Sequence, residues 1–455
     1  MPTKKLLITT FVIILTFLVF LSIKTFFIIR PFFPFFDYLL GQNRPINYLF
    51  LLGNDTEIRA NGGFAGSYTK VTLSPKNTNE YHPFSFFPIH FNLEATFHDI
   101  YVPNGQLNGY VAPPEPVQQA FGHGTWELAN ADFEPDFPTS ATSIRWFLEK
   151  GNEINSDILG IINLTTIKNI LNIIGDLRVP EYQVSLSPDN LYLFLQGKAE
   201  TNFFPGSTQK ADALHNVGIA LIKKLSTLSL SNKIKIAKII LSDLNHQNIV
   251  LNSTDPNFQK LLEQKKWDGK YQKPNTPDFF GLIELNLGAN KANAYITRQT
   301  NHQIFTESDQ VQHNIQINFH NSSPESNPNP PLQYGGNYLG YFRLYLPSNA
   351  TNIEVSHSQI ATETANINPE ILSHQTPQVT SCSLTLSPCS LYSFWHLTLH
   401  GQNSTIDIKY SLPQLNKQNY ALTLLKQNGL RSSPQVVNFF DQKFTTDLKK
   451  TSTFP

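Results

Sequence analysis

The sequence predicts an α/β domain of the α/β/α sandwich type, preceded by one N-terminal transmembrane helix and followed by an all-β, sandwich-like domain. Three observations lead to this prediction: an 18-residue run without a charge near the N-terminus, apolar strands alternating with helical periodicity from residue 139, and strand patterns alone beyond residue 281. We place a transmembrane anchor at 1–30, a juxtamembrane linker at 31–45, the α/β domain at 46–280, the β-rich domain at 281–430 and a C-terminal tail at 431–455.

The composition limits the class of protein. At about 150 residues per domain, a chain of 455 residues allows about three folded units. The 34 Lys and Arg residues balance the 34 Asp and Glu residues, so there is no basic excess that would favour nucleic acid as a partner. Two cysteines are too few for a disulfide framework or for a four-thiolate zinc site.

The uncharged run is Leu6–Ile23 (LLITTFVIILTFLVFLSI), which lies at the lower length limit for a membrane-spanning helix. The alternative is a cleaved signal peptide, but no small-residue cleavage pattern follows the run. We therefore expect an uncleaved anchor. Because the short N-terminus most simply stays inside, we expect a single-pass protein of the cell membrane with the bulk of the chain outside the cytoplasm.

Two predicted strands open the α/β domain. Ile46–Leu52 (INYLFLL) is an apolar run between Pro45 and Gly53, which is typical of a buried strand. Ser67–Leu73 alternates in polarity and predicts a second strand. The segment between them, GNDTEIRANGGFAG, predicts a glycine-rich loop, and residues 75–138, rich in Pro, Asn and aromatic residues, predict long loops with short elements.

From residue 139 the pattern alternates between helices and strands. Thr139 after Pro138 predicts a helix cap, and Thr165 or Thr166 predicts another, with Gly175 ending that second helix. The remaining predicted elements are a strand at Ile158–Leu164 and helices that start at Ser187-Pro188, span Ala211–Leu228, span Ser231–Leu244 and start at Asp255-Pro256.

Beyond residue 281 only strand patterns and turn signals remain, which favours a β-sandwich. The clearest predicted strands are Leu282–Leu287, Ile315–Phe319, Tyr341–Leu346 and Ile406–Leu412. The two cysteines, Cys382 and Cys389, lie in this region. Outside the membrane they can form a disulfide across a hairpin around Pro388, or they can be reduced core residues, and we favour the disulfide.

Four segments carry a resemblance to a known family. They are LFLLGNDTEIRANGGFAGSYTKVTL from Leu49, ANADFEPDFPTSA from Ala129, SDILGIINLTTIKNILNIIGDLRVP from Ser156 and ELNLGANKANAYITR from Glu284. Together they resemble the bacterial "domain of unknown function 4012" family over most of residues 46–430. Two positions depart from the usual family pattern: Asp132 stands where Asn is usual, and Phe133 stands where Trp is usual.

The chain is also similar, more distantly, to LytR–CpsA–Psr proteins, which are anchored bacterial enzymes. Leu51, Leu52, Gly53 and Asp55 fit the first motif of that family. The resemblance implies a LytR–CpsA–Psr-like sandwich and transfer of a phosphorylated glycan from a polyprenyl-diphosphate carrier, with Arg residues on the diphosphate and Asp residues on a divalent metal. Four of that family's charged positions are replaced here, around residues 64–66 and 88–90.

The segment after the first strand supplies most of the candidate ligand-binding residues, because α/β proteins place their sites at strand ends. Backbone N–H groups of two glycines can face an anion, and an arginine can grip phosphate. The alternative is structural: Arg59 pairs with a nearby carboxylate and locks two loops together. The candidates are Asp55, Glu57, Arg59, Gly62 and Gly63, with Arg145 added by the transferase resemblance.

Asp132 and Asp136 are the candidate metal ligands. With Glu134 they alternate in a proline-bounded segment, a spacing that suits Mg²⁺ or Ca²⁺, although the absence of an EF-hand pattern favours solvated loop charges. If the transferase chemistry is present, Mg²⁺ is the implied cofactor.

Two hypotheses about function follow. The first is a membrane-anchored, extracytoplasmic cell-envelope protein that binds a cell-wall glycan, a lipid-linked glycan or another envelope component. The alternative is a metal-dependent glycopolymer phosphotransferase or hydrolase that acts on a polyprenyl-diphosphate-linked glycan. The enzyme hypothesis requires Arg59, Arg145 and at least two carboxylates to converge on one pocket, and the sequence leaves open whether they do.

Overall fold

The structure is a computed structural model. It describes residues 30–75, 91–122, 124–153, 155–200, 208–324, 335–358, 371, 378–384, 387–413 and 420–455. The predicted anchor at Leu6–Ile23 therefore lies outside the described residues. Among the residues that are described, no helix is long and apolar enough to cross a membrane.

The first half of the described chain is a mixed α/β domain. Its strands are β1 (Ile46–Arg59), β2 (Gly62–Pro75), β3 (Phe91–Asp99), β4 (Ile158–Asn163), β5 (Leu177–Val179), β6 (Val184–Leu186) and β7 (Ile249–Ser253). Its helices are α1 (Phe36–Leu39), α2 (Tyr101–Asn104), α3 (Glu115–Phe121), α4 (Phe137–Lys150), α5 (Leu164–Ile174), α6 (Leu191–Glu200), α7 (Gln209–Ser226), α8 (Leu230–Asn245) and α9 (Pro256–Lys265).

Five of these strands form one mixed sheet in the order β3-β2-β1-β4-β7. β1 is parallel to β4, and the other neighbours are antiparallel. Leu51 faces α4 in a shared apolar cluster with Ile144, whereas Phe97 lies on the opposite face against Gly218 of α7. Helices therefore cover both faces of the sheet, as the sequence predicts for this domain.

The prediction of a glycine-rich loop between the first two strands is wrong. β1 and β2 are each 14 residues long and form one hairpin, with a register irregularity between Asn54 and Ile58. Gly63 allows the close approach of the two strands, because a Cβ added there would lie 2.0 Å from the carbonyl carbon of Asn54. The stretch Phe91–Asp99, which the sequence places among loops, is strand β3 at the edge of the sheet.

Two helix caps also differ from the prediction. Asp136, three residues before Thr139, caps α4, and its Oδ2 accepts a hydrogen bond from the backbone N–H of Thr139 at 3.2 Å. Asn163 is the N-cap residue of α5 in place of Thr165 or Thr166, because the last residue of β4 already has the extended backbone that a cap needs. Gly175 ends α5, and Asp255 caps α9, both as predicted.

The second half of the described chain is β-rich. Its strands are β8 (Asp278–Asn286), β9 (Ile296–Glu307), β10 (Gln310–Asn321), β11 (Tyr338–Pro347), β12 (Thr351–His357), β13 (Gln378–Leu384), β14 (Ser387–Thr398), β15 (Asn403–Pro413), β16 (Leu422–Leu425), β17 (Gln435–Phe439), β18 (Gln442–Thr446) and β19 (Ser452–Phe454).

These strands form two mixed six-stranded sheets, in the orders β12-β15-β10-β9-β17-β18 and β13-β14-β11-β8-β16-β19. One apolar cluster contains Ile315 and Ile408 of the first sheet together with Phe342 and Leu424 of the second, so the two sheets share a core. Residues 431–455, which the sequence predicts as a tail, contribute β17 and β18 to the first sheet and β19 to the second.

The predicted juxtamembrane linker packs against the α/β domain. Residues Arg30–Phe35 form a 3₁₀ helix that runs into α1. The ring of Phe32 stacks on Trp267 with a centroid separation of 5.4 Å, and Phe35 contacts Phe258 of α9. The chain therefore enters the described structure beside α9 and the end of α8.

Candidate functional site

The end of the β1–β2 hairpin lies against the β-rich domain. Its polar residues and their partners form an interdomain joint, which consists of Glu57, Arg59, Asn61, Lys291, Gln427 and Asn428. The backbone N–H of Ile58 donates to Asn293 Oδ1 at 3.0 Å, which ties the hairpin to the turn after β8. The segment predicted to bind a ligand is thus in contact with another part of the same chain.

Arg59 is at the centre of the joint and is 2% exposed. Its guanidinium donates to Glu57 Oε1 at 2.9 Å and to the carbonyl of Asn286 at 2.6 Å, and it lies over the ring of Phe64. The second carboxylate oxygen of Glu57 pairs with Lys291. The arginine therefore forms the buried ion pair that the structural alternative expects.

Gln427 and Asn428 fasten the hairpin from the other side. The Gln427 amide donates to the carbonyl of Arg59 at 3.0 Å and to the carbonyl of Glu284 at 2.8 Å. The Asn428 amide donates to Asn61 Oδ1 at 2.7 Å and to the carbonyl of Gly269 at 2.6 Å. Two consecutive side chains thus connect the hairpin end to both domains.

Asp132, a candidate metal ligand, belongs to the same buried region. Its carboxylate accepts hydrogen bonds from the side chain of Asn61 at 2.6 Å and from its backbone N–H at 3.2 Å. Burial raises the pKa of Asp132 to about 6, against the opposing effect of the Asn61 hydrogen bonds. A carboxyl group that is satisfied in this way holds the hairpin turn in place.

Asp55 lies on the same hairpin but faces Arg431. The Arg431 guanidinium lies 3.7 Å from Asp55 and bonds both oxygens of Asp243, at 2.9 and 3.0 Å. Burial acts to raise the pKa of Asp243, but hydrogen bonds from Arg431 and Thr166 outweigh it, so the pKa is lowered. This cluster fixes the chain after β16 to α5 and α8.

Gly62 and Gly63 do not present a free anion site. The N–H of Gly63 donates to Asn163 Oδ1 at 2.9 Å. Gly62 packs against the backbone of Gly429. A Cβ added to Gly429 would lie 2.3 Å from the Cα of Gly62. The glycines are needed because three backbone segments meet closely here.

Arg145 and Asp136 lie apart from the joint. Arg145, on α4, bonds Ser156 and the carbonyl and side-chain oxygens of Asn252. Asp136 caps α4 and accepts the backbone N–H of Tyr271 at 3.1 Å. The convergence of Arg59, Arg145 and the carboxylates on one pocket, which the enzyme hypothesis requires, is therefore not found.

The described residues do not offer a binding site for the implied Mg²⁺. Asp132 is engaged by Asn61 and Asp136 by the first turn of α4, so the two predicted ligands serve different elements. No group of three or more His, Cys, Asp and Glu residues in the described ranges is arranged to hold a metal ion. The residues present do not fit the cofactor that the transferase resemblance implies.

Four residues of this region were not predicted from the sequence as site residues. They are Lys291, Gln427, Asn428 and Arg431. Lys291 lies in the fourth family-like segment, which is a signal that could have marked it. The others follow a short apolar strand without any recognisable motif. Their partners are more than 140 residues away along the chain, so only the fold brings them together.

A cleft opens on the α/β sheet, away from the joint, and Tyr48 and Leu49 belong to its lining together with six polar residues. We call it the sheet cleft, and its polar lining consists of Asn47, Lys70, Thr72, Glu94, Thr96 and Ser156. Its volume is about 210 Å³. The register explains the lining, because residues at paired positions of β1, β2 and β3 point to the same face of the sheet.

The sheet cleft is bordered by a charged network. The Lys70 ammonium pairs with Glu153 at 2.7 Å, Tyr68 also donates to Glu153, and the Tyr68 ring stacks on His98 at 5.0 Å. Burial acts to raise the pKa of Glu153, yet the hydrogen bonds from Lys70 and Tyr68 outweigh it and lower that pKa. Burial, together with the charge of Lys70, lowers the pKa of His98.

The cleft lies where the predicted linker joins β1. Arg44 pairs with Asp157 at 2.7 Å, and the same carboxylate accepts the backbone N–H of Asn47 at 2.8 Å. The side chain of Asn47 then accepts a hydrogen bond from Thr72 at 2.9 Å, inside the cleft. The start of β1 therefore forms one edge of the cleft.

In the β-rich domain, Cys389 is disulfide-bonded. The chain has only one other cysteine, Cys382, and the strand register of β13 and β14 places it directly opposite Cys389. This register agrees with the disulfide that we favour on sequence grounds, and the pairing of the two cysteines stays a prediction.

Comparison with known families gives one match. Residues 43–199 match the family described as "Protein of unknown function (DUF4012)". This match confirms the family resemblance that the sequence motifs predict. Comparison with curated protein sequences finds no match.

Comparison with solved structures finds similarity over about half of the chain. TagV of B. subtilis is 18% identical, covering 52% of this chain and 87% of its own, with a TM-score of 0.29. The transcriptional regulator yvhJ of Bacillus subtilis is 16% identical, with coverages of 49% and 76% and a TM-score of 0.28. The protein gbs0355 of Streptococcus agalactiae is 16% identical, with coverages of 51% and 78% and a TM-score of 0.30.

Proposed function

We propose that this member of the DUF4012 family is a membrane-anchored, extracytoplasmic cell-envelope protein that binds a cell-wall or lipid-linked glycan in the sheet cleft. The single observation that carries the proposal is the set of hydrogen-bonding side chains that the first three strands direct into that cleft, beside the start of β1.

The chemistry of the cleft suits a sugar. Hydroxyl, amide, ammonium and carboxylate groups from three adjacent strands point into it, and these are the groups that hydrogen-bond sugar hydroxyls. Its volume of about 210 Å³ is below the roughly 300–1,000 Å³ of sites that enclose a drug-sized ligand. We therefore expect it to hold one end of a glycan and leave the rest in solvent.

The geometry favours binding over phosphoryl transfer. Transfer from a diphosphate needs cationic groups and a metal at the reacting phosphate. Arg59 is engaged in the joint, and Arg145 is engaged between α4 and β7. Neither arginine belongs to the lining of the sheet cleft. For this reason the binding hypothesis is the one we put forward.

The test is binding of a fluorescent polyprenyl-diphosphate disaccharide to the full chain in detergent, with and without Mg²⁺. The double variant Glu94→Gln/Thr96→Val removes a charge and a hydroxyl from the cleft, and we expect it to weaken binding by about tenfold or more. Glu354→Gln is the matched control, because Glu354 is an exposed carboxylate of the β-rich domain.

Two results would contradict the proposal. Equal affinities for the cleft variant and the control would mean that the glycan does not use the cleft. Mg²⁺-dependent cleavage of the diphosphate that is lost in Arg145→Ala would support the transferase alternative. The variant Arg59→Ala adds a further comparison, since we expect it to lower stability without changing the affinity of the protein that remains folded.

A further inference from the structure

The outer face of α8 carries apolar side chains in solvent. Leu230 is 74% exposed and Ile234 is 48% exposed, and Ala237 is exposed as well. A spacing of four and then three residues puts all three on one side of the helix. The same side of α8 is covered further along the helix, where Leu244 lies in the core cluster next to α9. Within the described chain, the N-terminal half of this apolar side is therefore left uncovered.

The exposed charge of α8 is entirely positive. Lys233, Lys235 and Lys238 are all exposed, and Lys233 and Lys238 flank the apolar stripe. The one acidic residue of the helix, Asp243, is buried and paired with Arg431 at 2.9 Å. Apolar residues between lysines are the pattern of helices that lie on an anionic lipid surface.

The position of α8 agrees with this pattern. The side chain of Asn245, at the end of α8, accepts a hydrogen bond from the Trp267 indole at 2.9 Å, and Trp267 stacks on Phe32. The uncharged run ends at Ile23 and the described chain begins at Arg30, so six residues separate the two. A helix of 16 residues is about 24 Å long, so the whole stripe lies within about 24 Å of the end of α8 that contacts Trp267.

We propose that the outer face of α8, formed by Leu230, Lys233, Ile234, Ala237 and Lys238, docks on a bilayer surface that contains anionic phospholipid. Leu230 and Ile234 enter the headgroup region, and the lysines pair with lipid phosphates. This inference rests on the proposed membrane anchoring. The α8 contact is a second attachment point, so it fixes the orientation of the α/β domain on the membrane.

The experiment uses the full chain mixed with vesicles of phosphatidylcholine, with or without phosphatidylglycerol. In the variant Ala237→Cys the new thiol is labelled with an environment-sensitive dye, since Cys389 is disulfide-bonded. We expect a blue shift of the dye emission on vesicles with phosphatidylglycerol. Lys409→Cys, at an exposed position of the β-rich domain, is the label control and should show no shift.

The lysines supply a second readout. At a fixed phosphatidylglycerol content, each of the changes Lys233→Gln and Lys238→Gln should raise the lipid concentration needed for the half-maximal shift roughly fivefold. High salt should have the same effect on the unchanged helix, because screening weakens the attraction between lysines and lipid phosphates. Lys238→Gln alters an exposed side chain, whereas Lys233→Gln also removes a hydrogen bond of 3.1 Å to the carbonyl of Ser226, so a thermal melt of each variant checks the fold.

The outcomes separate this inference from the proposed anchoring. Flotation of the full chain with phosphatidylcholine vesicles reports on the anchor alone. A chain that floats while the dye at residue 237 stays in water on both lipid mixtures would overturn the α8 contact and leave the anchoring intact. A dye shift that depends on protein concentration without vesicles would assign the face to a second copy and also overturn it. A chain that does not float with either mixture would overturn both proposals.

Discussion

Substitution of Arg59 by methionine tests the interdomain joint most directly. Methionine keeps most of the length of the side chain and removes the guanidinium. The Glu57 carboxylate, whose side chain is 4% exposed, then keeps only Lys291 as a charged partner. The carbonyl of Asn286 loses the donor that now lies 2.6 Å away. The change therefore removes an ion pair within β1 and a buried hydrogen bond from β1 to the last residue of β8, across the contact between the two domains.

The expected loss of stability follows from these contacts. Removing one partner of a buried ion pair costs about 3–5 kcal/mol, because the other charge stays buried without compensation. Lys291 still neutralises Glu57 here, so we expect the lower end, about 3 kcal/mol, with about 1 kcal/mol more for the unsatisfied carbonyl. The loss should appear as a separation of two unfolding transitions, since the joint connects the two domains.

Urea denaturation of the full chain, followed by tryptophan fluorescence, measures this loss. The matched control is Arg44→Met, which breaks the pair with Asp157 where the arginine side chain is 58% exposed and should cost less than about 1 kcal/mol. A double-mutant cycle with Glu57→Gln isolates the coupling of the pair. A loss for Arg59→Met no larger than that for Arg44→Met would refute the assignment of Arg59 to the joint.

Three further predictions concern single positions. Burial lowers the pKa of Lys426 to about 7, well below the unfolded value of about 10.4, so stability should rise between pH 7 and 10, and urea midpoints for Lys426→Met should lack that rise. Gly429→Ala should lower the midpoint far more than Gly401→Ala, since both have positive φ but only the first meets the backbone of Gly62; equal losses would contradict this. Asp255→Ala should cost about 1 kcal/mol in the same assay by removing the cap of α9, and no loss would exclude that role.

Much of the α/β domain is predictable from local pattern. Ala211–Leu228 and Ser231–Leu244 were predicted as helices within two residues of the ends of α7 and α8, because long stretches of helical periodicity leave little ambiguity. Asp255-Pro256 marked the start of α9 through a cap and a first-turn proline. These elements depend on neighbours in the sequence, which is the information that a single chain contains.

The hairpin end was not predictable in this way. The segment from Gly53 to Gly66 combines glycines with charged residues, which in isolation is typical of a loop. It is extended because its polar groups are satisfied by residues of another domain, including Gln427 and Asn428, more than 350 positions away. Strand propensity is strongly dependent on such context, and no local signal reports it.

The structure of the candidate site differs from the sequence prediction for the same reason. The sequence gathers Asp55, Glu57 and Arg59 within five residues, and charges so close together suggest a ligand site. It cannot tell whether the partner of such a group is a ligand or another side chain of the protein. Here the partners are Arg431 and Lys291, so the charges are neutralised within the chain.

The two ends of the β1–β2 hairpin lie in different surroundings, one in the joint and the other at the sheet cleft. Its closed end carries Arg59 and is buried between the domains, whereas its open end carries Asn47 and Thr72 and borders the cleft. Buried ion pairs contribute little net stability compared with apolar packing, and their best-attested effect is to select one arrangement. A joint of this kind therefore fixes the two domains relative to each other more than it strengthens either. If the cleft binds a glycan at the membrane and α8 lies on the lipid surface, this fixed geometry would determine where the β-rich domain is presented beyond the membrane.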